Sequence, residues 1–244
     1  MIVKHQTSYR AGSLALALAA VLAAGTARAQ APATTGRIEG TVEVLRSLST
    51  RKTSFRLYSE YGPTVMPTRN AADTNEARNV VIYLDSVAAV GWAVAPSSPA
   101  MRQTNGAFVP HVLAVLQGSR VEFPNGDPVF HNVFSLSRLK SFDLGRYPKG
   151  ASRSVRFDKP GIVQVFCHIH ADMSAVVLVL SNPFFATPND AGRFFIDDIP
   201  AGEYRVVAWH ERAGPIVREV RVWPGRTTTV DFALPMHTEP RRGR

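Results

Sequence analysis

Past residue 30 the apolar positions fall into short runs rich in β-branched and aromatic residues, divided by clusters of Gly, Pro, Asn and Asp. Such runs predict strands rather than amphipathic helices. They lie at residues 37–45, 79–85, 111–115, 120–123, 131–136, 152–157, 161–166 and 175–180, then at 193–196, 203–209, 218–222 and 228–234. Alternation is cleanest in the last run: Val230, Phe232 and Leu234 face inward, while Thr229, Asp231 and Ala233 face outward. The expected fold is all-β, with strands packed as sandwiches. Two polar stretches, 47–78 and 86–106, read as long loops, the first with a short helix near 71–77. Loops of that length are uncommon in a compact domain and signal function, mobility or a misread strand.

The first thirty residues follow another pattern. Lys4 and Arg10 precede an unbroken apolar run at 14–24, and Ala27-Arg28-Ala29 has the small-x-small form of an export-signal cleavage site. The run is well short of the roughly 20 residues that span a bilayer. Cleavage after Ala29 is expected, with Gln30 as the new N-terminus, residues 31–35 as a flexible leader and the periplasm as destination. Removing this segment takes away three basic residues and no acidic ones, lowering the net charge from +9 to +6. Part of the remainder sits in the tail, at Arg241, Arg242 and Arg244. Nothing resembles a nucleic-acid motif, and a basic tail of this kind is ordinarily solvated.

Composition changes the picture most through cysteine, of which there is one. In an oxidising compartment a lone thiol has no internal disulfide partner and is open to oxidation where exposed. Cys167 is therefore either buried and inert or occupied by chemistry. It stands in Val165-Phe166-Cys167-His168-Ile169-His170-Ala171-Asp172-Met173, between two strand runs. A tight loop there puts a thiolate, an imidazole and a thioether on one small arc. His131, delivered by a turn to the start of another strand, is placed to add a fourth donor. Two His, one Cys and a weak axial Met suit copper. Zinc prefers four strong N, S or O donors and makes no use of Met. Met173 has a competing reading as core filler.

The two segments resemble the cupredoxin family, which includes plastocyanin, pseudoazurin and amicyanin. The resemblance runs through Phe108–Pro110, Gly118, Asn125–Asp127 and His131–Val133, then through the Cys-x-x-His-x-x-Met loop of Cys167, His170 and Met173. It covers about 107–180 and implies a Greek-key β-sandwich. It also implies one mononuclear Cu(I)/Cu(II) site with His131, Cys167 and His170 as strong ligands and Met173 as the axial group. Asn132 is implied as a neighbour that ties the two ligand loops together and tunes the sulfur. The edge of the loop histidine in this family emerges through an apolar patch where redox partners dock; Pro128, Val129, Phe130, Ile169 and Ala171 would supply it here. The chain before Phe108 is longer than the family needs.

Six histidines follow the export signal: His111, His131, His168, His170, His210 and His237. A trinuclear oxygen-reducing cluster takes more imidazoles than these, so one copper and electron carriage are expected, and no enzyme. His168 beside Cys167 is expected to face solvent or the other side of the sandwich, and His111 to be a satisfied, partly buried side chain. Copper handling without redox cycling, or a surface module that binds carbohydrate or protein, are the alternative functions. The run from Gly192 to Val206 and the closing 222–234 resemble the carboxypeptidase regulatory-like β-sandwich, a non-catalytic module. Residues 183–235 are short for a whole sandwich. Either 36–85 completes this module around an inserted copper core at 107–181, or 36–181 forms one cupredoxin domain, with 236–244 as the tail.

Overall fold

The computed structural model describes residues 34–45, 75–85, 87 and 98–235. The expected export signal, the expected leader up to residue 33, most of the two long polar stretches and the basic tail lie outside the described residues. The chain enters β1 at Thr35–Leu45, passes a 3-10 turn at Glu76–Asn79 and forms β2, Val81–Asp85. A middle block follows: β3 (Arg102–Thr104), β4 (Ala107–Val109), β5 (Val112–Leu116), β6 (Arg120–Pro124), β7 (His131–Ser137), β8 (Lys140–Tyr147), β9 (Ser152–Arg156), β10 (Gly161–Phe166) and β11 (Ser174–Leu180). The last block holds β12 (Phe185–Ala186), β13 (Arg193–Pro200), β14 (Gly202–His210), β15 (Gly214–Val222), β16 (Thr227–Thr229) and β17 (Phe232–Pro235).

The fold is all-β, and pairing sorts the strands into two sandwiches. β1 runs antiparallel to β13 and parallel to β16 and β17, while β2 lies between β12 and β14, with β15 outside β14. Among the described residues neither β1 nor β2 forms a ladder with a strand of the middle block. These two sheets enclose one core, which includes Ile38, Val42, Ile82, Leu84, Phe194, Val206 and Phe232. The middle block makes the second sandwich from the sheet β5-β11-β10-β7-β8, faced by the pairs β6–β9 and β3–β4. Its core includes Met101, Phe108, Phe123, Val133, Phe157, Val163, Val165 and Val177.

A third apolar layer joins the two. Val81 and Trp209 meet Val112, Val176, Leu178 and Leu180 across it, with Tyr83, Ala114 and Phe185 at its margin. This layer explains why β2 and β11 read as continuous apolar runs. In each strand alternate side chains enter different cores: Ile82 and Leu84 on one side of β2 and Val81 on the other, Val177 and Val179 against Val176 and Leu178 in β11. One polar contact crosses the same junction. His111 Nδ1 lies 3.0 Å from the Ser174 carbonyl, and its Nε2 lies 2.8 Å from a Glu211 carboxylate oxygen. Both ring nitrogens face acceptors, so the ring donates twice when it carries two protons.

Each expected strand run falls on a strand, with 228–234 split into β16 and β17 around Asp231, whose carboxylate accepts from the Thr41 N–H and hydroxyl. β8 is absent from the sequence expectation because half of Lys-Ser-Phe-Asp-Leu-Gly-Arg-Tyr is polar; only one face, through Phe142, Leu144 and Tyr147, meets the core of the second sandwich. β3 and the turn after it occupy the end of the stretch 86–106 expected to be loop, and β4 follows it directly. The short helix expected near 71–77 appears, as far as the described residues run, as the 3-10 turn at Glu76–Asn79, opened by an Asn75 side chain that accepts from the Ala77 N–H.

Two outcomes follow from this packing. A Cβ on Gly40 would lie 1.8 Å from the Val230 carbonyl oxygen, so Gly40→Ala must push β1 off its partner. Urea melts should show a loss of about 3 kcal/mol or more; an unchanged midpoint would place β1 elsewhere. Glu211→Gln tests the junction contact. Burial alone would lower the pKa of His111, but the Glu211 hydrogen bond and charge raise it, and His111 in turn helps lower Glu211 against its own burial. A raised His contributes stability that is full below its ordinary value near 6.5 and lost as pH rises through the folded value; a lowered Glu contributes above its ordinary value near 4.5 and loses it on acidification. Glu211→Gln should cost about 1–2 kcal/mol between pH 5 and 6. That gap should shrink in melts run on either side of the window.

Candidate metal centre

The site is assembled from two loops at one end of the second sandwich. The first is the turn between β6 and β7. Asn125 is buried and shapes it: its amide donates to the carbonyls of Val129 and Tyr147 at 2.9 and 3.1 Å, and its Oδ1 accepts from the Asp127 N–H at 2.9 Å. The turn delivers His131, fully buried, as the first residue of β7. The second loop joins β10 to β11. It is closed by backbone hydrogen bonds from Cys167 N–H to the Met173 carbonyl (3.2 Å) and from Met173 N–H to the His170 carbonyl (3.0 Å).

These loops bring His131, Cys167 and His170 together, their nearest donor atoms all within 4.8 Å of one another. The Cys167 sulfur lies 3.9 Å from His131 Nδ1 and 3.8 Å from His170 Nδ1. The two imidazole rings meet edge to face, with centroids 4.7 Å apart. These separations are long for hydrogen bonds but suit donors that share an ion. With metal–nitrogen and metal–sulfur bonds of roughly 2.0 and 2.3 Å, a trigonal angle gives an N···S span of about 3.7 Å. The Met173 side chain is buried in the same core cluster as Cys167.

The electrostatics favour metal binding. Burial pushes the Cys167 thiol up, but His131, His170 and the backbone N–H groups of Asn132 and His170 outweigh it and bring its pKa down to about 5. The residue is therefore a thiolate at neutral pH, the form that binds metals. Burial likewise works against a charged His131, while Cys167 and Asp127 raise its pKa. Asn132 is buried between the loops: its amide donates to Asp143 at 2.6 Å, and its Oδ1 accepts from the His168 N–H at 3.2 Å.

Among the described residues the remaining histidines stand apart from this cluster. His168 is exposed and its ring lies on Phe134, with centroids 4.0 Å apart. His111 serves the junction between sandwiches. His210 is buried in the first sandwich and pairs with Glu76 at 3.3 Å, which also accepts from Arg212. There burial alone would raise the Glu76 carboxyl, but the His210 and Asn79 hydrogen bonds and the Arg212 charge bring it to about 2. His237 lies outside the described residues. On the two ligand-bearing loops Pro128, Phe130 and Ile169 are exposed, and Val129 and Ala171 are half-buried.

One neighbour of the site entered the sequence reading only as part of the Asn125–Asp127 segment, with no role of its own. Asp127, nearly buried, places a carboxylate oxygen 2.9 Å from His131 Nε2. The signal that leads to it is the Asn105-Gly106 pair, a strong two-residue hairpin marker. Its backbone N–H groups bind the same carboxylate.

No protein-family model matches the chain, and no curated protein does. Among solved structures it is similar to a Cu-containing nitrite reductase from Thermus scotoductus SA-01, with 25% identity and a TM-score of 0.34 over 38% of this chain. That match spans about a quarter of the reductase chain. A purple cupredoxin from Nitrosopumilus maritimus overlaps 34% of this chain and all of its own length, at 21% identity and a TM-score of 0.32. A reduced Cu(I) form of an amicyanin variant overlaps 41% of this chain and 98% of its own, at 21% identity and a TM-score of 0.33. The solved neighbours named here are thus copper proteins, each overlapping a minor part of this chain.

Proposed function

We propose that the protein binds one copper ion through His131, Cys167 and His170, with Met173 as a weak fourth ligand, and carries single electrons between partner proteins after export to the periplasm. The observation that carries this reading is the pair of Nδ1 donors from His131 and His170 gathered around the buried Cys167 sulfur. Bound copper would supply a one-electron couple, because thiolate and thioether suit Cu(I) while imidazoles are acceptable to Cu(II).

The chain's own residues supply fixed positions. Cys167 is tied to the loop by its backbone N–H, and Asn132 links that loop to β7 and β8. The donors are thereby held by the fold and not by the ion alone. His170 is half-buried, and Phe130 and Ile169, exposed at 56% and 37%, lie on the two loops that carry the ligands. Together with Ala171 they form the apolar rim where a redox partner would dock. In this reading the protein is a carrier and not an enzyme, and the first sandwich supports the copper sandwich through their common apolar layer.

Absorption and EPR spectra of the copper-loaded protein test the reading. Cu(II) should give an intense visible band from thiolate-to-copper charge transfer, which bleaches on reduction and returns on reoxidation. Cys167→Ser should abolish the band. A colourless Cu(I) adduct that does not cycle would move the function to copper handling, and unaltered binding in Cys167→Ser would remove the site. N-terminal sequencing of exported protein should begin at Gln30.

A further inference from the structure

The carboxylate behind His131 is built with more care than ring orientation requires. His131 presents Nδ1 to the Cys167 sulfur, so Nε2 is its remote nitrogen, and it points at Asp127 Oδ2 at 2.9 Å. The two side chains are 0% and 5% exposed, so water does not dilute the interaction. Asp127 is itself clamped. Its Oδ1 accepts from the Asn105 N–H at 2.6 Å, and its Oδ2 accepts from the Gly106 N–H at 2.9 Å. Asn105 and Gly106 form the tip of the β3–β4 hairpin, with φ of 53° and 66°. Two successive N–H groups in that left-handed conformation make a concave anion-binding nest. A glycine accepts that backbone without strain, and Asn is among the few other residues that tolerate it.

The hairpin is in turn tied to the turn that carries Asp127. The Gly126 N–H donates to the Gln103 carbonyl at 2.9 Å, and Gln103 bridges to Asn125. A segment that contributes no ligand is therefore fastened behind a ligand, and its end product is one fixed negative charge. Any acceptor, a neutral carbonyl included, would orient the imidazole. What the carboxylate adds is charge.

We propose that Asp127 is a positioning residue that strengthens His131 as an electron donor and so lowers the reduction potential of the centre, with the Asn105–Gly106 turn as its clamp. The inference rests on the copper reading above. A hydrogen bond from the remote N–H to a carboxylate raises the basicity of a ligating imidazole. A buried negative charge close to the centre also stabilises the ion of higher charge over the one of lower charge, the more so in a low-dielectric interior. Both effects act in one direction: Cu(II) gains on Cu(I).

Asp127→Asn separates charge from shape. With its Oδ1 in the place of the carboxylate oxygen nearest His131, the amide still accepts from His131 and Gly106, while its Nδ2 faces the Asn105 N–H and loses that contact. Redox titration of copper-loaded wild type and Asp127→Asn, followed by the visible band, reads the result. We expect the Cu(II)/Cu(I) affinity ratio to fall about tenfold, which raises the midpoint by about 59 mV, with the band retained. Asp127→Glu should recover part of the shift. An unchanged midpoint in Asp127→Asn with the band intact would reduce Asp127 to a purely structural role. Absence of the band in the wild type would instead sink the copper reading itself. If Asp127→Asn does not fold, proton NMR of the wild-type Cu(I) protein decides: a slowly exchanging His131 Nε2–H far downfield supports the carboxylate bond, and a proton at the position and exchange rate of an exposed imidazole overturns it.

Discussion

The structure depends on one strand being buried on both faces. In β11 every residue from Ala175 to Leu180 is buried, alternate side chains entering the core of the second sandwich and the layer it shares with the first. At roughly 1.5–2 kcal/mol for each large apolar side chain, this strand contributes on the order of 10 kcal/mol of gross burial. A partly exposed contact such as His111–Glu211 adds about a tenth of that. Apolar burial therefore holds the sandwiches together, and the polar contact selects how they meet. β11 is also the far end of the ligand loop, so the loop that carries Cys167 and His170 is strung between β10, buried on one face, and β11, buried on both.

That rigidity bears on the chemistry at the loop. A Cys167 pKa brought down to about 5 against its own burial depends on the groups gathered around the sulfur. It persists because His131, His170 and two backbone N–H groups converge on the sulfur, and because their carriers cannot drift. Asn132 and Asp127 act from behind the donors, one on the sulfur-bearing loop and one on the His131 ring. The donor cluster is therefore a property of the packed ends of β7, β10 and β11 and of the hairpin at their side.

Much of this was legible in the residues. The lone cysteine, the His and Met that follow it at short spacing and the His at a strand start marked the candidate donors, of which the structure brings His131, Cys167 and His170 together. Strand runs were legible wherever one or both faces were apolar. β8 was not, because Lys140, Ser141, Asp143 and Arg146 give its outer half the composition of a loop. Nor was the pairing of β1 and β2 with strands some 100 or more residues later, such as Gly40 with Phe194 or Leu84 with Val206, since strand partners are chosen by surfaces that exist only after both have formed.

By itself, then, the sequence determined the all-β character, the identities of the candidate ligands and the loop that holds three of them, all of which follow from local composition and spacing. Tertiary structure decided what lies around them. It set the burial that works against the thiolate and the contacts that outweigh it, placed the Asp127 carboxylate behind His131 and fastened it with a hairpin tip 21 and 22 residues upstream. It also brought Trp209 of one sandwich and Leu178 of the other into one buried cluster. Those are contacts between segments distant in the chain, and their strength comes from excluded water and fixed geometry, which no single segment carries alone.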